Sequence, residues 1–434
     1  MAGRPIVLVH GYSSGAPAFD AWRSALVSRG FDPGLLQACS YRSLTNEVTI
    51  RDIAEGFDRA LAVQAGLDAD QPFDAIVHST GMLVLRAWLS AYPKRRTRLK
   101  HLIALAPATF GSPLAHKGRS WMGAMFKGNR QPGPDFLEAG DRILSGLELG
   151  SRLTWDLAHE EVVGPWVFVF CGTGQYRGLR RLAHEPGTDG AVRWAGCALN
   201  TRKIILDLTQ DPAREGSGRR ISIASWKNVD APLVPVEGRN HSTILSDPGD
   251  DLVDLVARAL AVADSAGYES WQNQARSSRA SAIDPWQQFV IRAIDERGDP
   301  IPDFNVQLFT RKAGGRESAV QPFDIDVHAY REDPSLRCFH VNLAKIGADR
   351  LDNLWIRVMA SSGSQLVGYH GYGSEPAAPG DDSRNGIWDA ELDISSLADE
   401  RGVRFFYPFT TTLVELRLNR EPLPVSGRNQ VCFF

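Results

Sequence analysis

Residues 73–93 read FDAIVHSTGMLVLRAWLSAYP, and the rest of the chain is arranged around them. Ala75, Ile76 and Val77 form a continuous apolar run, His78-Ser79-Thr80-Gly81 interrupts it, and Met82, Leu83, Leu85, Ala87, Trp88 and Leu89 then recur at helical rather than alternating spacing. This predicts strand, sharp turn, helix. A serine at such a turn stands above the end of a sheet with its Oγ exposed, beside the first free N–H groups of the helix. The plain alternative is a Ser-Thr pair that merely begins a helix after a buried strand. The flanking segments have to decide between the two.

Working outward, Pro5 to Val9 is an apolar strand that ends in His10-Gly11-Tyr12-Ser13-Ser14-Gly15, and Phe19 to Gly30 then reads as a helix. Leu35 to Ser43 gives a short strand, and Ile50, Ile53, Ala54, Phe57 and Leu61 mark one face of an amphipathic helix. Leu102 to Pro107 is a further strand, followed by Ala108-Thr109-Phe110-Gly111-Ser112-Pro113-Leu114-Ala115. Strands that alternate with helices imply a parallel sheet covered on both faces, with the working site at the carboxyl ends of the strands.

Three stretches carry a family resemblance. Val77-His78-Ser79-Thr80-Gly81 resembles the G-x-S-x-G nucleophile elbow of α/β-hydrolases, with Val77 in place of the first glycine, which implies a slightly wider turn. The loop from His10 to Gly15 resembles the H-G-x-x-x-G loop of lipase-like members, and Ala106 to Ala115 resembles the T-P-x-x-G-S-P-x-A segment of bacterial lipases. The resemblance makes Ser79 the nucleophile and assigns the oxyanion hole to the N–H groups of Tyr12 and Thr80. It also implies that His10 and His78, beside these motifs, support the site through hydrogen bonds.

The same resemblance continues downstream. Residues 114–162 break the strand-helix rhythm at the place of the hydrolase cap, and Trp121, Met122, Met125 and Phe126 are its expected lid residues; helices packed permanently on the core are the alternative. Thr188-Asp189-Gly190-Ala191-Val192 resembles the acid loop of lipases. Ile204 to Leu208 and Ile221 to Trp226 look like a strand pair, and His241 stands in a polar loop just before the helix at Leu252 to Ala263, where the family places its general base. The order Ser79, Asp189, His241 is that of α/β-hydrolases. Asp230, nearer to His241 in sequence, is the alternative acid.

Beyond residue 265 the pattern changes. Tyr268 to Ser281 is polar, serine-rich and without evident period, so 266–284 is expected to be a linker. Residues 285–434 show period-two alternation, as at Leu354 to Val358 and Thr412 to Leu418, between turns rich in Gly, Pro, Asn and Asp. This predicts an all-β sandwich for binding or docking, and its opening resembles transthyretin-like or C2-like modules. The expected architecture is therefore α/β, an α/β-hydrolase unit over 1–265 with a cap insertion, joined to a C-terminal β-sandwich.

Composition narrows the function classes. A net charge of −3 on 434 residues gives no electrostatic footprint for nucleic acid. Cys39, Cys171, Cys197, Cys338 and Cys432 are odd in number and widely spaced, which fits buried thiols under reducing conditions. No carboxylate-histidine cluster has metal-ligand spacing, so neither metal nor cofactor is expected. The start MAGRPIVLVHGY enters the first strand without a leader-like segment, which points to the cytoplasm or to export by a route that needs no cleaved leader.

The expectation is thus a serine carboxylic-ester hydrolase of the lipase or phospholipase kind, with a lipid or small ester as substrate. Contact with a membrane surface and a protein partner on the β domain are the interactions the resemblance implies. Together with the lid and the β domain, the leaderless start resembles type VI secretion lipase effectors. Rival readings are a short-chain esterase, thioesterase or polyester hydrolase on the same scaffold, and a hydrolase fold kept only as an interaction module.

Overall fold

In a computed structural model of the chain, the structure describes residues 3–11, 15–41, 45–116, 140–160, 164–174, 176, 185–209, 221–223, 233–312, 314–320, 327–330, 333–346, 353–364, 366–371, 387–394, 405–431 and 433. The chain divides into two compact units, Met1–Asn200 with Asn228–Asp284, and Thr201–Lys227 with Pro285–Phe434.

The first unit is built on a six-stranded sheet. In chain order its strands are β1 (Ile6–Val9), β2 (Leu36–Cys39), β3 (Phe73–His78), β4 (Leu99–Leu105), β5 (Trp166–Gly172) and, after the chain has given two strands to the other unit, β8 (Leu233–Val236). They lie in the order β2-β1-β3-β4-β5-β8, and every neighbouring pair is parallel. The continuous apolar runs are explained by burial on both faces: all four residues of β1 and all six of β3 are buried. Helices α1 (Asp20–Ser28), α2 (Ile50–Val63) and α3 (Gly81–Ala91) belong to this unit. A reciprocal capping box between Thr49 and Asp52 opens α2, which buries the face Ile50, Ile53, Ala54, Phe57 and Leu61 expected from its spacing. The next helix, α3, is buried from Gly81 to Leu89, including Arg86, whose guanidinium donates to Thr109 O.

The expected cap is only partly in view. Trp121, Met122, Met125 and Phe126 lie outside the described residues. The flank at 140–160 forms helices at Asp141–Leu147 and Arg152–His159 that bury Ile143, Leu144, Leu147, Trp155 and Leu157. That flank is core.

One expectation for this unit is corrected. The stretch read as a linker is a helix, Ser265–Ala282, capped by Asp264. It docks on β5: Tyr268 donates its hydroxyl to Val167 O, Trp271 packs edge-on against Phe168 and Phe170, and Ala275 is buried. Tyr268, Trp271 and Ala275 have helical spacing, but set singly in a serine-rich run they make a faint period. Beside this helix, His101 on β4 is buried, with Nδ1 at 2.7 Å from Asp74 Oδ1 and Nε2 at 2.7 Å from Val262 O.

The second unit is a sandwich of two sheets. Its first strands are β6 (Thr201–Asp207) and β7 (Ile221–Ile223), the antiparallel pair expected from sequence. The rest are β9 (Trp286–Asp295), β10 (Asp303–Arg311), β11 (Glu317–Ala319), β12 (Val327–Ala329), β13 (Leu336–Asn342), β14 (Leu354–Ser361), β15 (Val367–His370), β16 (Ile387–Asp393) and β17 (Thr411–Pro422). One sheet runs β11-β10-β14-β16; the other runs β12-β13-β9-β17-β6-β7, with β15 on β17. Phe289, Ile291, Val306, Leu308, Ile356, Val358, Val414 and Leu416 share one core, fed by both sheets. Here the second correction of domain organisation appears, because β6 pairs in parallel with β17, from Thr201↔Thr411 to Asp207↔Arg417. The hairpin placed by sequence order in the catalytic half therefore completes the β unit.

Candidate active site

The strand-turn-helix at Ser79 forms as the sequence predicts, and its strain is visible in the backbone. Ser79 has φ +53°, in the left-handed region that a residue with a Cβ rarely enters. Its main chain is pinned on both sides: Ser79 N–H donates to Leu105 O, while Ser79 O accepts from Met82 and Ala108. Two glycines make the turn sterically feasible. A Cβ at Gly81 would come within 2.6 Å of Val9 O, and one at Gly11 within 2.8 Å of Ser79 Cβ. Val77, which occupies the first glycine position of the motif, is fully buried in β3 in register with Val9 and Ala104, and Ser79 takes the strained conformation all the same.

Asp189 and His241 come from separate loops at the same end of the sheet. Asp189 Oδ1 accepts the N–H groups of Ala191 at 2.9 Å and Val192 at 2.8 Å, and Gly190 supplies φ +101° against the ring of Tyr176. This is the physical content of the Asp-Gly-Ala-Val wording. The His241 loop passes over the end of β5, where Gly172 is required because a Cβ there would meet Arg239 O at 2.2 Å. Asn240 Oδ1 accepts the amides of Ser242 and Thr243 and so begins the short helix Thr243–Ser246, and His241 N–H donates to Asp189 O at 3.0 Å.

The three side chains meet. Ser79 Oγ lies 3.0 Å from His241 Nε2, and His241 Nδ1 lies 2.9 Å from Asp189 Oδ2. All three residues are buried, His241 and Asp189 completely. A hydroxyl, an imidazole and a carboxylate in series allow the hydroxyl proton to move to Nε2 while the carboxylate holds the Nδ1–H tautomer. The competing acid, Asp230, lies outside the described residues.

Both supporting histidines have defined partners. His78 Nε2–H donates to His241 O at 2.9 Å, and its ring lies 4.8 Å from that of His241. Burial, with the nearby His241 adding to it, pushes the His78 imidazole down to about 3, so it stays neutral beside the imidazolium that proton transfer would create. His10 Nδ1–H donates to Gly11 O, Nε2 accepts from Tyr41 N–H at 3.2 Å, and the ring stacks on Tyr41. Thr80 stands at the start of α3, where first-turn N–H groups lack intrahelical acceptors. Tyr12 lies outside the described residues.

Sequence reasoning missed three supports. Ser112, assigned no role, donates its hydroxyl to Ala191 O at 2.6 Å, and Thr109 donates to Cys197 O at 2.5 Å, so the Thr-Phe-Gly-Ser segment braces the Asp189 loop. The third is a pair of thiols, Cys171 and Cys197, stacked behind Asp189. These contacts join residues far apart in sequence, and no local pattern marks them. A cavity of about 330 Å³ is lined by Val9 at the end of β1, Tyr41 against His10, Val84 on α3 and a face of α2 containing Ile53, Gly56 and Phe57; Ser79, Asp189 and His241 are not among its lining residues. Among the described residues no group of three or more His, Cys, Asp or Glu side chains could hold a metal ion, and no helix is long and apolar enough to cross a membrane.

No family model and no curated protein matches the sequence. Solved structures do match. Phospholipase PlaB from Legionella pneumophila superposes with a TM-score of 0.76 at 21% identity, over 99% of this chain and 97% of that one. The same phospholipase in complex with thio-NAD gives a TM-score of 0.75 at 20% identity with the same coverage. With the parallel sheet, the strained serine turn and the appended β-sandwich, these matches establish an α/β-hydrolase fold that this chain shares, along nearly its whole length, with PlaB.

Proposed function

We propose that the chain is a serine carboxylic-ester hydrolase acting on lipid esters, with Ser79 as nucleophile, His241 as general base and acid, and Asp189 as the orienting carboxylate. The observation that carries this reading is the buried Ser79–His241–Asp189 hydrogen-bond series at 3.0 and 2.9 Å, held at a strained turn. A scaffold with no chemistry has no use for that strain. The fold likeness to a phospholipase supports a lipid ester over a soluble one.

In this reading Ser79 Oγ attacks the ester carbonyl as its proton passes to His241 Nε2. The carbonyl oxygen becomes an oxyanion beside the N–H groups of Thr80 and Tyr12, each worth about 10²–10³ in rate in sites of this kind. His241 returns the proton to the leaving alcohol as the acyl-enzyme forms. Water then attacks the acyl carbon with His241 again as base, which releases the acid and restores Ser79. His78 and His10 hold the His241 carbonyl and the Gly11 turn through their hydrogen bonds to those two main-chain oxygens. The cavity bounded by Val9, Val84 and α2 is proposed to take the acyl chain, since Val84 lies one turn beyond the nucleophile and Val9 two residues before Gly11.

Covalent labelling with a fluorophosphonate, then turnover of phospholipids, triglycerides and p-nitrophenyl esters of graded length, tests the proposal. Labelling of wild type and not of Ser79→Ala, with long-chain esters preferred, is expected. A protein that takes no label and turns over no ester is an interaction module instead.

A further inference from the structure

Behind the carboxylate that holds His241 lies a pair of cysteines with no assigned role. Cys171, on β5 next to the glycine that lets the His241 loop pass, places Sγ 3.6 Å from Asp189 Oδ2. Cys197, just after the Asp189 loop, places its Sγ 3.5 Å from that of Cys171. Asp189, Cys171 and Cys197 are all essentially inaccessible to solvent. Oδ1 is occupied by two backbone amides, so Oδ2, the oxygen facing His241, has the imidazole Nδ1–H and the Cys171 thiol as its donors.

We propose that Cys171 is a positioning residue for the Asp189–His241 pair: its S–H donates to Asp189 Oδ2, Cys197 S–H donates to Cys171 in turn, and the two thiols draw off part of the carboxylate charge that would otherwise fall on His241. The inference rests on the catalytic reading of Ser79, His241 and Asp189. The consequence is chemical. A fully buried carboxylate with no other donor on Oδ2 stabilises imidazolium strongly and leaves less neutral base; a soft S–H donor moderates it without an ion pair. A hydroxyl would not serve as well, because the shorter C–O bond draws the donor back from an oxygen already at the limit of reach.

Among the described residues, His78 from the end of β3, Cys171 from β5 and Cys197 from the turn after the Asp189 loop face the pair; Tyr176 packs its ring on Gly190 and bonds Ser242, and the buried Arg193, paired with Glu185, lies on the Asp189 loop itself. Burial pushes both thiols up, and pushes His78 down to about 3, so near neutral pH these three hold fixed protonation states. The acid limb of the rate profile then reports on the pair itself.

The test is the pH dependence of kcat/KM for a soluble p-nitrophenyl ester in wild type, Cys171→Val and Cys197→Val, with melting temperatures measured beside it. Valine keeps the apolar bulk of a buried strand residue and removes the donor. In Cys171→Val the acid limb moves up by about half a pH unit, so rates on that limb fall about threefold while KM stays unchanged; Cys197→Val moves it the same way by less. A folded, active Cys171→Val with an unmoved or lowered acid limb overturns the proposal. Should Cys171→Val fail to fold, the infrared S–H stretch of wild type, assigned by difference against Cys171→Ala, decides: a band shifted to the frequency of a bonded thiol upholds the proposal and an unshifted one refutes it. Ser79→Ala is the separate control, because full activity there refutes the catalytic reading whatever the cysteine variants do.

Discussion

If the cavity beside α2 receives the acyl chain, filling it from its wall should convert a long-chain esterase into a short-chain one, and Gly56 is the place to do so. It lies midway along the α2 wall, between Asp52 and Ala60, and a Cβ built there meets only the Arg59 guanidinium, at 4.0 Å. Gly56→Trp therefore points bulk into open space without displacing backbone, and replacing a mid-helix glycine stabilises the helix by up to ~0.5 kcal/mol. The cavity holds about 330 Å³. At the ~30 Å³ share of one water per methylene, that is room for roughly ten methylenes, of which the indole blocks about half. Five methylenes at ~0.8 kcal/mol each are worth at most ~4 kcal/mol, or about 10³ in kcat/KM. The assay is kcat/KM for p-nitrophenyl butyrate, caprylate, laurate and palmitate. Butyrate turnover should stay within about twofold, since none of its few carbons reaches Gly56, while the laurate-to-butyrate ratio collapses by about 10²–10³. A Gly56→Trp enzyme with an unchanged chain-length profile and unchanged melting temperature would show that acyl chains go elsewhere.

Other outcomes can be measured on the same protein. Ser79→Ala should melt like wild type yet lose several orders of magnitude in turnover; near-native esterase activity would displace the nucleophile. Asp189→Asn should cost far more activity than Asp230→Asn, given the 2.9 Å bond to His241, and the opposite ranking of turnover numbers would move the acid. Because His78 is held down to about 3 against an ordinary 6.5, the unfolded chain binds the extra proton: this group's contribution is complete above pH 6.5 and is lost at ~1.4 kcal/mol per pH unit as pH falls toward 3. His78→Gln, which keeps an N–H donor for His241 O, should flatten that slope in urea melts between about pH 4 and pH 6.5, and an unaltered slope would refute the assignment. A chain cut after Ala282 removes β17 and leaves β6 without its parallel partner, exposing Ile204 and Leu206; it should aggregate or melt earlier, and a soluble fragment with the full melting temperature would contradict that.

What can be read from the sequence depends on whether the signal is local. The strand, turn and helix around Ser79 are legible because a buried parallel strand is a bare apolar run and a helix repeats at its own period. His241 and Asp189 are found through motif wording and chain order, and the hydrogen bonds of Ala191 and Val192 to Asp189, with the turn at Gly190, explain the wording. Ser112 and Cys171 carry no such mark, because each acts on a loop 79 and 18 residues away respectively. The helix at Ser265–Ala282 escapes notice because its period rests on residues such as Tyr268, Trp271 and Ala275, set singly in a polar, serine-rich run. The allegiance of β6 and β7 has no local sign at all, since strand pairing with β17 is decided by residues about two hundred positions downstream.

That pairing also sets a timetable. β6 ends at Asp207 and its partner begins at Thr411, so a ribosome working at about 5–20 residues per second needs roughly 10–40 s to deliver one after the other. During that interval β6 waits for its partner, between the loop that carries Asp189 and the loop that carries His241. The nascent chain can form the Ser79 turn early, but the segment joining its acid to its base comes to rest only after the last long strand has emerged. Hydrolytic activity should therefore arise only after β17 has been synthesised.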